Sequence, residues 1–253
     1  MRKILLAVFI MLLIPILNSC EKNDNNVTHT VMDYDGYIYK TVQIGDQIWM
    51  AENLKTTRYA NGAVIQLVEN GMDWDAQGYN DKAMCYFDNS LTNKDTYGAL
   101  YTWAAAMNGA ADSEANPSGV QGVCPDGWHL PSDDEWKELE MHLGMSQTDV
   151  DLFSWRGTNE GSKLAGDSSL WINGILEENI DFSSSDFMAL PAGYRTSYYE
   201  GLFSQLGDIA SFWSTTESGD TLVMTRLVHF AFTPIHRFTI SKKSGNSVRC
   251  IKD

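Results

Sequence analysis

The stretch CPDGWHLPSDDEWKELE, Cys124–Glu140, decides how the fold of this chain is interpreted. It places a cysteine, two tryptophans, a histidine and six acidic side chains within seventeen residues. Ser132 stands three residues before Glu135, which is the spacing of a capping box at the start of a helix. Acidic residues in a first turn are also favoured by the helix dipole. The apolar face of the predicted helix consists of Trp136, Leu139 and Leu143.

The acidic residues of this stretch raise the alternative of a metal or catalytic site. Glu138 and His142 are four residues apart and could share a metal with His129, but the H-E-x-x-H pattern is missing. Catalysis by carboxylates needs a pair across a cleft, and neighbours on an exposed first turn do not provide one. We therefore interpret Glu138 and Glu140 as solvent-facing residues, and the stretch as a helix cap and an anchor.

The first twenty residues have the pattern of an export signal. Arg2 and Lys3 precede an apolar run of roughly 14 residues, which is shorter than the ~20 residues of a membrane-spanning helix. Cys20 follows a small residue, which predicts a lipoprotein signal over residues 1–19 and an acylated Cys20. A plain signal peptide or N-terminal anchor is the alternative. Residues 20–32 are predicted to be a polar tether.

The charge of the chain excludes some classes of partner. The 253 residues include 18 basic and 33 acidic side chains. Two of the basic residues lie in residues 1–19, so the remainder has a formal charge of −17. Such a chain repels nucleic acid and anionic lipid, so any link to a membrane must come from the lipid. The acidic start of the tether, EKNDNN, resembles surface-export signals of Bacteroidota lipoproteins.

Three cysteines remain beyond Cys20, namely Cys85, Cys124 and Cys250. In an exported protein the simplest arrangement is one disulfide and one free thiol. The residues alone leave the pairing open. Paired Cys and His spacings are missing, which makes a zinc ribbon or finger a poor interpretation.

The alternation of apolar and polar residues predicts an α+β fold with antiparallel strands, two main helices and long structured loops. Gly45-Asp46 is predicted to be a hairpin turn. The first helix is expected in YGALYTWAAAMNG, which ends at Asn108-Gly109, and the second follows Pro131. Strands are expected at Phe187–Leu190, Ala210–Thr215, Leu222–Phe230, Phe238–Ser241 and Ser247–Ile251.

Six blocks in order resemble the Fibrobacter succinogenes major paralogous domain family. The blocks are VQIGDQIWMAENLKTTRYANG, YGALYTWAAAMN, GVCPDGWHLPSDDEW, LPAGYR, FWSTTE and SVRCIKD. The resemblance covers residues 33–253, which we predict to be one domain. It implies an exported or surface lipoprotein. No general biochemical activity is established for the family, so the resemblance implies none in particular.

The blocks WHLPSDDEW and VRC also resemble, more distantly, the C-type-lectin-like and formylglycine-generating-enzyme-like folds. This likeness implies a domain whose two ends meet in one sheet. It also implies a Cys124–Cys250 disulfide and a buried free thiol at Cys85. The calcium-binding motifs of sugar-binding lectins and the paired copper-binding cysteines of the oxidases are missing, so neither chemistry is expected here.

Two further clusters are candidate binding sites. The stretch DWDAQGYND has the spacing of a calcium loop in Asp73, Asp75, Gln77 and Asp81, but Met84 replaces the final Glu; an acidic surface loop is the alternative. Aromatic rings bind sugars when they are exposed, although alternating aromatics are also ordinary core residues. The candidate ligand-binding residues are Trp171, Tyr194, Arg195, Tyr198, Tyr199 and Trp213.

Together these patterns predict a lipid-anchored outer-membrane protein, exposed at the cell surface, that binds a polysaccharide or a protein and catalyses no reaction. No cofactor is expected, apart from the candidate calcium loop. A structural or accessory subunit of a surface assembly is the first alternative. An enzyme that uses carboxylates brought together around residues 149–186 is the second. Neither a nucleophile elbow nor a phosphate-binding glycine loop is present in the sequence.

Overall fold

Short strands make up most of the regular structure. The computed structural model describes residues 30–253. The predicted signal segment, the lipidation site Cys20 and residues 20–29 of the predicted tether lie outside the described residues. The strands in chain order are β1 (Thr30–Met32), β2 (Ile38–Ile44), β3 (Gln47–Met50), β4 (Gln66–Leu67), β5 (Ala83–Cys85), β6 (Leu100–Tyr101), β7 (Trp128–His129), β8 (Ser154–Arg156), β9 (Tyr194–Arg195), β10 (Phe203–Ser204), β11 (Ile209–Glu217), β12 (Leu222–His229), β13 (Ile235–Ser241) and β14 (Ile251–Lys252).

The helices are short, except for the one predicted to be capped at Ser132. They are α1 (Gly71–Asp75), α2 (Leu91–Tyr97), α3 (Trp103–Met107), α4 (Asp133–His142), α5 (Glu160–Leu164) and α6 (Ile175–Glu178). The combination of these helices with mainly antiparallel sheets confirms the α+β class.

The first sheet has the order β1-β2-β3-β14-β7, and all of its pairs are antiparallel. The β2–β3 hairpin turns at Gly45-Asp46, as predicted, and Gly45 adopts a φ of 62° there. β14 lies between β3 and β7 because Ile251 pairs with both Trp49 and His129. The end of the described chain is thus inserted between strands that are distant in sequence.

The predicted Cys124–Cys250 disulfide is present, with its Cα atoms 6.0 Å apart. It fixes the loop before β7 to the segment that leads into β14. Cross-linking residues that are 126 positions apart is worth about 4–5 kcal/mol in the chain-entropy model. Cys85 is a buried free thiol, as expected. Burial raises the pKa of this thiol to about 12, which keeps it protonated and unreactive.

The second sheet has the antiparallel order β11-β12-β13-β8. Its three long strands confirm those predicted around Ala210–Thr215, Leu222–Phe230 and Phe238–Ser241. Apart from Glu217 at its end, β11 is buried along its whole length. The sheet therefore forms one wall of the core.

α4 packs against this wall and begins with the predicted capping box. The Ser132 hydroxyl accepts a hydrogen bond from the Glu135 amide at 3.2 Å, and the Glu135 carboxylate accepts one from the Ser132 amide at 2.9 Å. Trp136 is fully buried, and its ring lies 4.8 Å from that of Trp49 and 5.6 Å from that of Phe212. The helix thus connects the two sheets through one aromatic core.

Four expectations about local structure need correction. Residues 30–32 of the predicted tether form β1, because they pair with β2. The helix predicted around residues 98–109 is limited to the five residues of α3, since Leu100 and Tyr101 pair with β5; it does end at Asn108, as predicted. Phe187–Leu190 is not a strand and makes one bridge, between Ala189 and Ala165. Of the strand predicted over Ser247–Ile251, Ile251 alone belongs to β14.

The last of these segments is fixed by scattered backbone hydrogen bonds and by the side chain of Arg249. Arg249 is fully buried and donates to the carbonyl oxygens of Met50, Phe187 and Met188 and to Oδ1 of Asn53, at 2.6–2.9 Å. These hydrogen bonds satisfy backbone groups that a regular strand would otherwise satisfy.

Candidate functional site

The residues predicted to bind a ligand do not share one surface. Trp171, Trp213 and Arg195 are 4%, 0% and 1% exposed. Trp213 donates from Nε1 to the carbonyl of Tyr101 at 2.8 Å, and Trp171 donates from Nε1 to that of Gly166 at 2.9 Å. The prediction that these three side chains contact a ligand is therefore wrong, because the core already satisfies them.

Tyr198 and Tyr199 are exposed, by 54% and 74%. They lie in the connection between β9 and β10, which we call the two-tyrosine turn (residues 196–202). Their rings are 4.8 Å apart, edge to face. Tyr194, at the base of this hairpin, is half-buried. Only the two tyrosines of the turn therefore remain candidates for direct contact with a ligand through exposed ring faces.

The backbone of the two-tyrosine turn is strained. Tyr199, Glu200 and Gly201 have φ values of 52°, 57° and 57°. The left-handed region disfavours a residue with a Cβ by about 1–2 kcal/mol. Thr196 helps to hold this conformation, because its hydroxyl donates to the Tyr198 carbonyl at 2.5 Å and its amide donates to the Leu202 carbonyl at 2.9 Å. Backbone strain of this kind concentrates at functional sites.

Arg195 holds the turn from beneath. Its guanidinium donates to the carbonyl oxygens of Gly201, Val68 and Glu69 at 2.8, 2.6 and 2.9 Å. The guanidinium carbon also lies 4.6 Å from the centre of the Trp74 ring. Arg195 thus joins the turn to the segment between β4 and α1, and this role explains its burial.

α1 makes the second contact with the turn. Gly71 has no side chain, and a Cβ built there would lie 2.1 Å from the carbonyl oxygen of Glu200. The amide of Glu200 donates to the carboxylate of Asp75 at 3.3 Å. Lys243 approaches from the other side and donates to the Asp75 carbonyl at 2.8 Å. A glycine at position 71 is therefore what allows the turn to approach the helix so closely.

A groove of about 460 Å³ borders this contact and is lined mainly by polar side chains. Among them, Gln66, Glu69 and Asp73 are exposed and make no side-chain hydrogen bond to any other described residue. The groove thus offers free amide and carboxylate groups, and the turn that Gly71 contacts offers two exposed tyrosine rings. Such a combination can stack on the C–H face of a sugar and accept hydrogen bonds from its hydroxyls.

The candidate calcium loop does not form. Asp73 and Asp75 both belong to α1, where residues two apart point in different directions. Gln77 donates to the backbone carbonyl of Asp73, and the Asp81 carboxylate accepts from the Gly78 amide at 2.7 Å. Within residues 30–253, no group of three or more His, Cys, Asp or Glu side chains is arranged to hold a metal ion.

Two acidic residues of α4 belong to a buried ion network that the sequence analysis did not predict. Asp133 and Glu140 are 4% and 0% exposed. Arg226 pairs with both of them at 2.6 Å, Arg156 pairs with Glu140 at 2.5 Å and Arg237 pairs with Asp133 at 2.7 Å. The prediction that Glu140 faces solvent is therefore wrong, and in the first turn Asp134 alone is exposed, because Asp133 and Glu135 are buried. Although burial alone raises the pKa of Asp133, the two guanidinium groups beside it hold that pKa well below its usual range.

A signal for this network was present in the sequence. Asp133 and Glu140 are seven residues apart, so both lie on the helix face that carries Trp136. Their partners on β8, β12 and β13 follow later in the chain and cannot be assigned by spacing.

His129 links the start of α4 to residue 253. Its Nε2 lies 2.6 Å from the carboxylate of Glu135, and its Nδ1 lies 2.7 Å from that of Asp253. Burial alone lowers the pKa of His129, but these two hydrogen bonds raise it above the ordinary value. This arrangement has the character of a structural clamp, because both ring nitrogens are occupied.

A second group of aromatic side chains lies on the second sheet, at β8 and β13. Trp155 stacks on Phe232 and on His236, with centroid distances of 4.1 and 4.6 Å, and His236 stacks on Phe238 at 4.9 Å. We call these four residues the Trp155 stack. Here the rings contact one another through their faces, which leaves less free aromatic face than at the two-tyrosine turn.

Comparison with known proteins identifies one match. The family described as the Fibrobacter succinogenes major domain matches residues 42–252, which include all the residues of the candidate site and all the strands except β1 and the first part of β2. No curated protein and no solved structure shows significant similarity to the chain.

Proposed function

The chain belongs to the Fibrobacter succinogenes major domain family, and from this premise we propose that it is a lipid-anchored protein of the outer membrane whose domain binds a polysaccharide at the cell surface. The observation that carries the proposal is the two-tyrosine turn. Two adjacent tyrosines are held exposed on a strained backbone by a fully used, buried arginine. The combination of exposed rings, left-handed backbone and a buried supporting arginine is what favours a binding role for the turn.

The chemistry of the site favours a sugar polymer. Tyrosine faces cover the C–H surfaces of pyranose rings, while the free groups of Gln66, Glu69 and Asp73 can hydrogen-bond to hydroxyls. The groove is open to solvent and its residues flank Gly71, which the turn contacts, so this surface suits one part of a long chain better than an enclosed small molecule. We propose that the domain binds this chain without catalysing its cleavage.

The proposal of a lipid anchor rests on residues 1–20. The predicted acylation site is followed by a short polar tether, and the described domain begins at Thr30. Among the described residues, no helix is both long enough and apolar enough to cross a membrane. In this proposal, acylated Cys20 attaches the chain to the outer membrane.

A C-type-lectin-like arrangement is the finer fold that we propose. Three features support it. The two ends of the domain meet in the first sheet, a capped helix follows β7, and a disulfide connects the region before β7 to that before β14. The proposed binding site uses aromatic rings and does not depend on calcium.

Binding to immobilised polysaccharides tests the function. We expect the full chain in detergent micelles to bind at least one polysaccharide of a panel from plants and microbes. Tyr198→Ala and Tyr199→Ala should each weaken that binding by about tenfold or more, because stacking on one ring is worth about 1–2 kcal/mol. Tyr34→Ala is the matched control. Tyr34 has a similar exposure, 57%, but it lies near Gly62 and belongs neither to the turn nor to the lining of the groove. Failure to bind across the panel, or equal loss in the control, would refute the proposal. Unchanged chain length of the bound polymer would support the non-enzymatic role.

The anchor and its location need a separate test. We expect radiolabelled fatty acid to be incorporated into the wild-type chain and not into Cys20→Ala. Proteinase added to intact cells should digest the domain. Complete protection in intact cells, with digestion after lysis, would contradict exposure at the surface.

The Trp155 stack favours a second candidate function, as an accessory subunit of a surface assembly. The adjacent Leu152 and Phe153 are 53% and 56% exposed, so this area offers an apolar surface to another protein. Cross-linking on intact cells distinguishes the two functions. A stable adduct that Phe153→Ser abolishes, with polysaccharide binding absent, would favour the accessory role.

A further inference from the structure

The charges around the two-tyrosine turn restrict the class of polysaccharide that it can accept. Four carboxylates lie on or beside the contact between the turn and α1. They belong to Glu69, Asp73, Asp75 and Glu200. Glu69 and Asp73 line the groove itself, and both are exposed.

The two cations near these carboxylates donate to backbone carbonyls and not to the carboxylates themselves. Arg195 is 1% exposed, and its guanidinium donates to three backbone carbonyls, so it cannot turn toward a ligand. Lys243 donates to the Asp75 carbonyl at 2.8 Å. The groove is thus bordered by negative charge without a free cation among the side chains that line it.

From this arrangement we infer that the site binds an uncharged polysaccharide and rejects anionic ones, such as polymers that contain uronic acids or sulfate esters. A carboxylate accepts hydrogen bonds from hydroxyls but repels another anion, and like charges brought within a few ångströms are destabilising. Glu69 and Asp73 are therefore specificity-determining residues, while the tyrosines provide the stacking surface. The inference rests on the proposed function, because it names the ligand class of that same site.

A neutral polysaccharide and its carboxymethylated counterpart form the matched pair of probes. For each neutral polymer that the full chain binds, we expect carboxymethylation of the same backbone to weaken binding by about tenfold at low salt. The difference should shrink as the salt concentration approaches 1 M, where the screening length is about 3 Å.

Two substitutions assign the effect to the groove. In the double variant Glu69→Gln and Asp73→Asn, we expect the ratio of the two dissociation constants to fall toward one, because the amides keep an acceptor and lose the charge. Asp112→Asn is the control, since Asp112 is exposed but is not part of the groove; it should leave the ratio at its wild-type value.

The outcomes separate this inference from the proposed function. Equal or tighter binding of the carboxymethylated polymer would overturn the inference and leave the binding function in place. A ratio that the double variant does not change would also overturn it. Lack of binding to neutral and anionic polymers alike would overturn both.

Discussion

Arg226 and Arg195 are both buried, yet the molecule satisfies them in opposite ways. Arg226 pairs with the carboxylates of Asp133 and Glu140 inside the core. Arg195 meets no carboxylate in the described structure and donates to three backbone carbonyls instead. The first arrangement connects a helix to a sheet through charge. The second fixes a surface turn while leaving the nearby carboxylates of Glu69 and Asp73 free.

The difference has a consequence for each region. A buried ion pair tolerates the loss of one partner poorly, because the other charge is left desolvated. When an arginine that donates only to carbonyl oxygens is removed, the groups left without a donor are neutral. The loss of stability is therefore smaller than for an ion pair. The two regions should therefore respond differently to mutation and to pH.

The largest effect is expected for Arg226→Met. The substitution leaves Asp133 and Glu140 buried with fewer cations, which should reduce the free energy of unfolding by about 3–5 kcal/mol. Urea unfolding measures this loss. Arg226→Lys is the control and should lose less, since Asp133 and Glu140 keep a cation between them. A loss below about 1 kcal/mol for the single variant would mean that the network is not desolvated.

Arg195→Met should reduce stability less, by about 2–3 kcal/mol, because three carbonyls lose their donor but no carboxylate loses its cation. Amide exchange in residues 196–202 should become faster than in α4. Arg195→Lys keeps the charge but not the planar set of guanidinium donors. Its free energy of unfolding should lie between those of the wild type and the Met variant. Faster exchange in α4 than in the turn would contradict the assigned role of Arg195.

Acid should weaken the Arg226 network and leave the Arg195 site unaffected. The pKa of Asp133 is lower in the folded chain than in the unfolded chain, where it is about 3.9. The contribution of Asp133 to the free energy of unfolding is thus complete above about pH 5. It is lost as the pH falls below the unfolded pKa and through the pKa of the folded chain. Urea unfolding from pH 6 down to pH 3 should show a steeper decline for the wild type than for Asp133→Asn. The loss caused by Arg195→Met should be the same at every pH.

The smallest effect concerns the strained turn. Glu200→Gly relieves a left-handed conformation worth about 1–2 kcal/mol, but glycine also gains freedom in the unfolded chain. We therefore expect a gain of up to about 1 kcal/mol, seen as a higher Tm. Glu177→Gly in α6 is the control and should lower the Tm. A lower Tm for Glu200→Gly would show that the turn is not strained at this position.

These two regions also mark how far the sequence could predict the structure. The capping box of α4 was predictable, because Ser132 and Glu135 interact within one helical turn. The burial of Glu140 was not, because its cations Arg156 and Arg226 are 16 and 86 residues away. Sequence patterns report local geometry well, and they do not report which distant strand brings a compensating charge.

The candidate site was predictable in part for the same reason. The aromatic cluster near Tyr194 was visible in the sequence, and Tyr198 and Tyr199 are indeed exposed. Spacing could not separate them from Trp213, because alternating aromatics occur in cores and on surfaces alike. The exposure of the two tyrosines depends on Gly71 and Arg195, whose contacts with the turn exist only in the folded chain.

The position of β14 has a consequence for the order in which the protein can be made. β3 is synthesised about 200 residues before its neighbour in the sheet, so the first sheet cannot close until residue 252 has left the ribosome. Until then the β3 edge has no partner, and Cys124 has no Cys250 to pair with. The first sheet and the Cys124–Cys250 disulfide are therefore completed late, after β2, β3 and β7 have all been made.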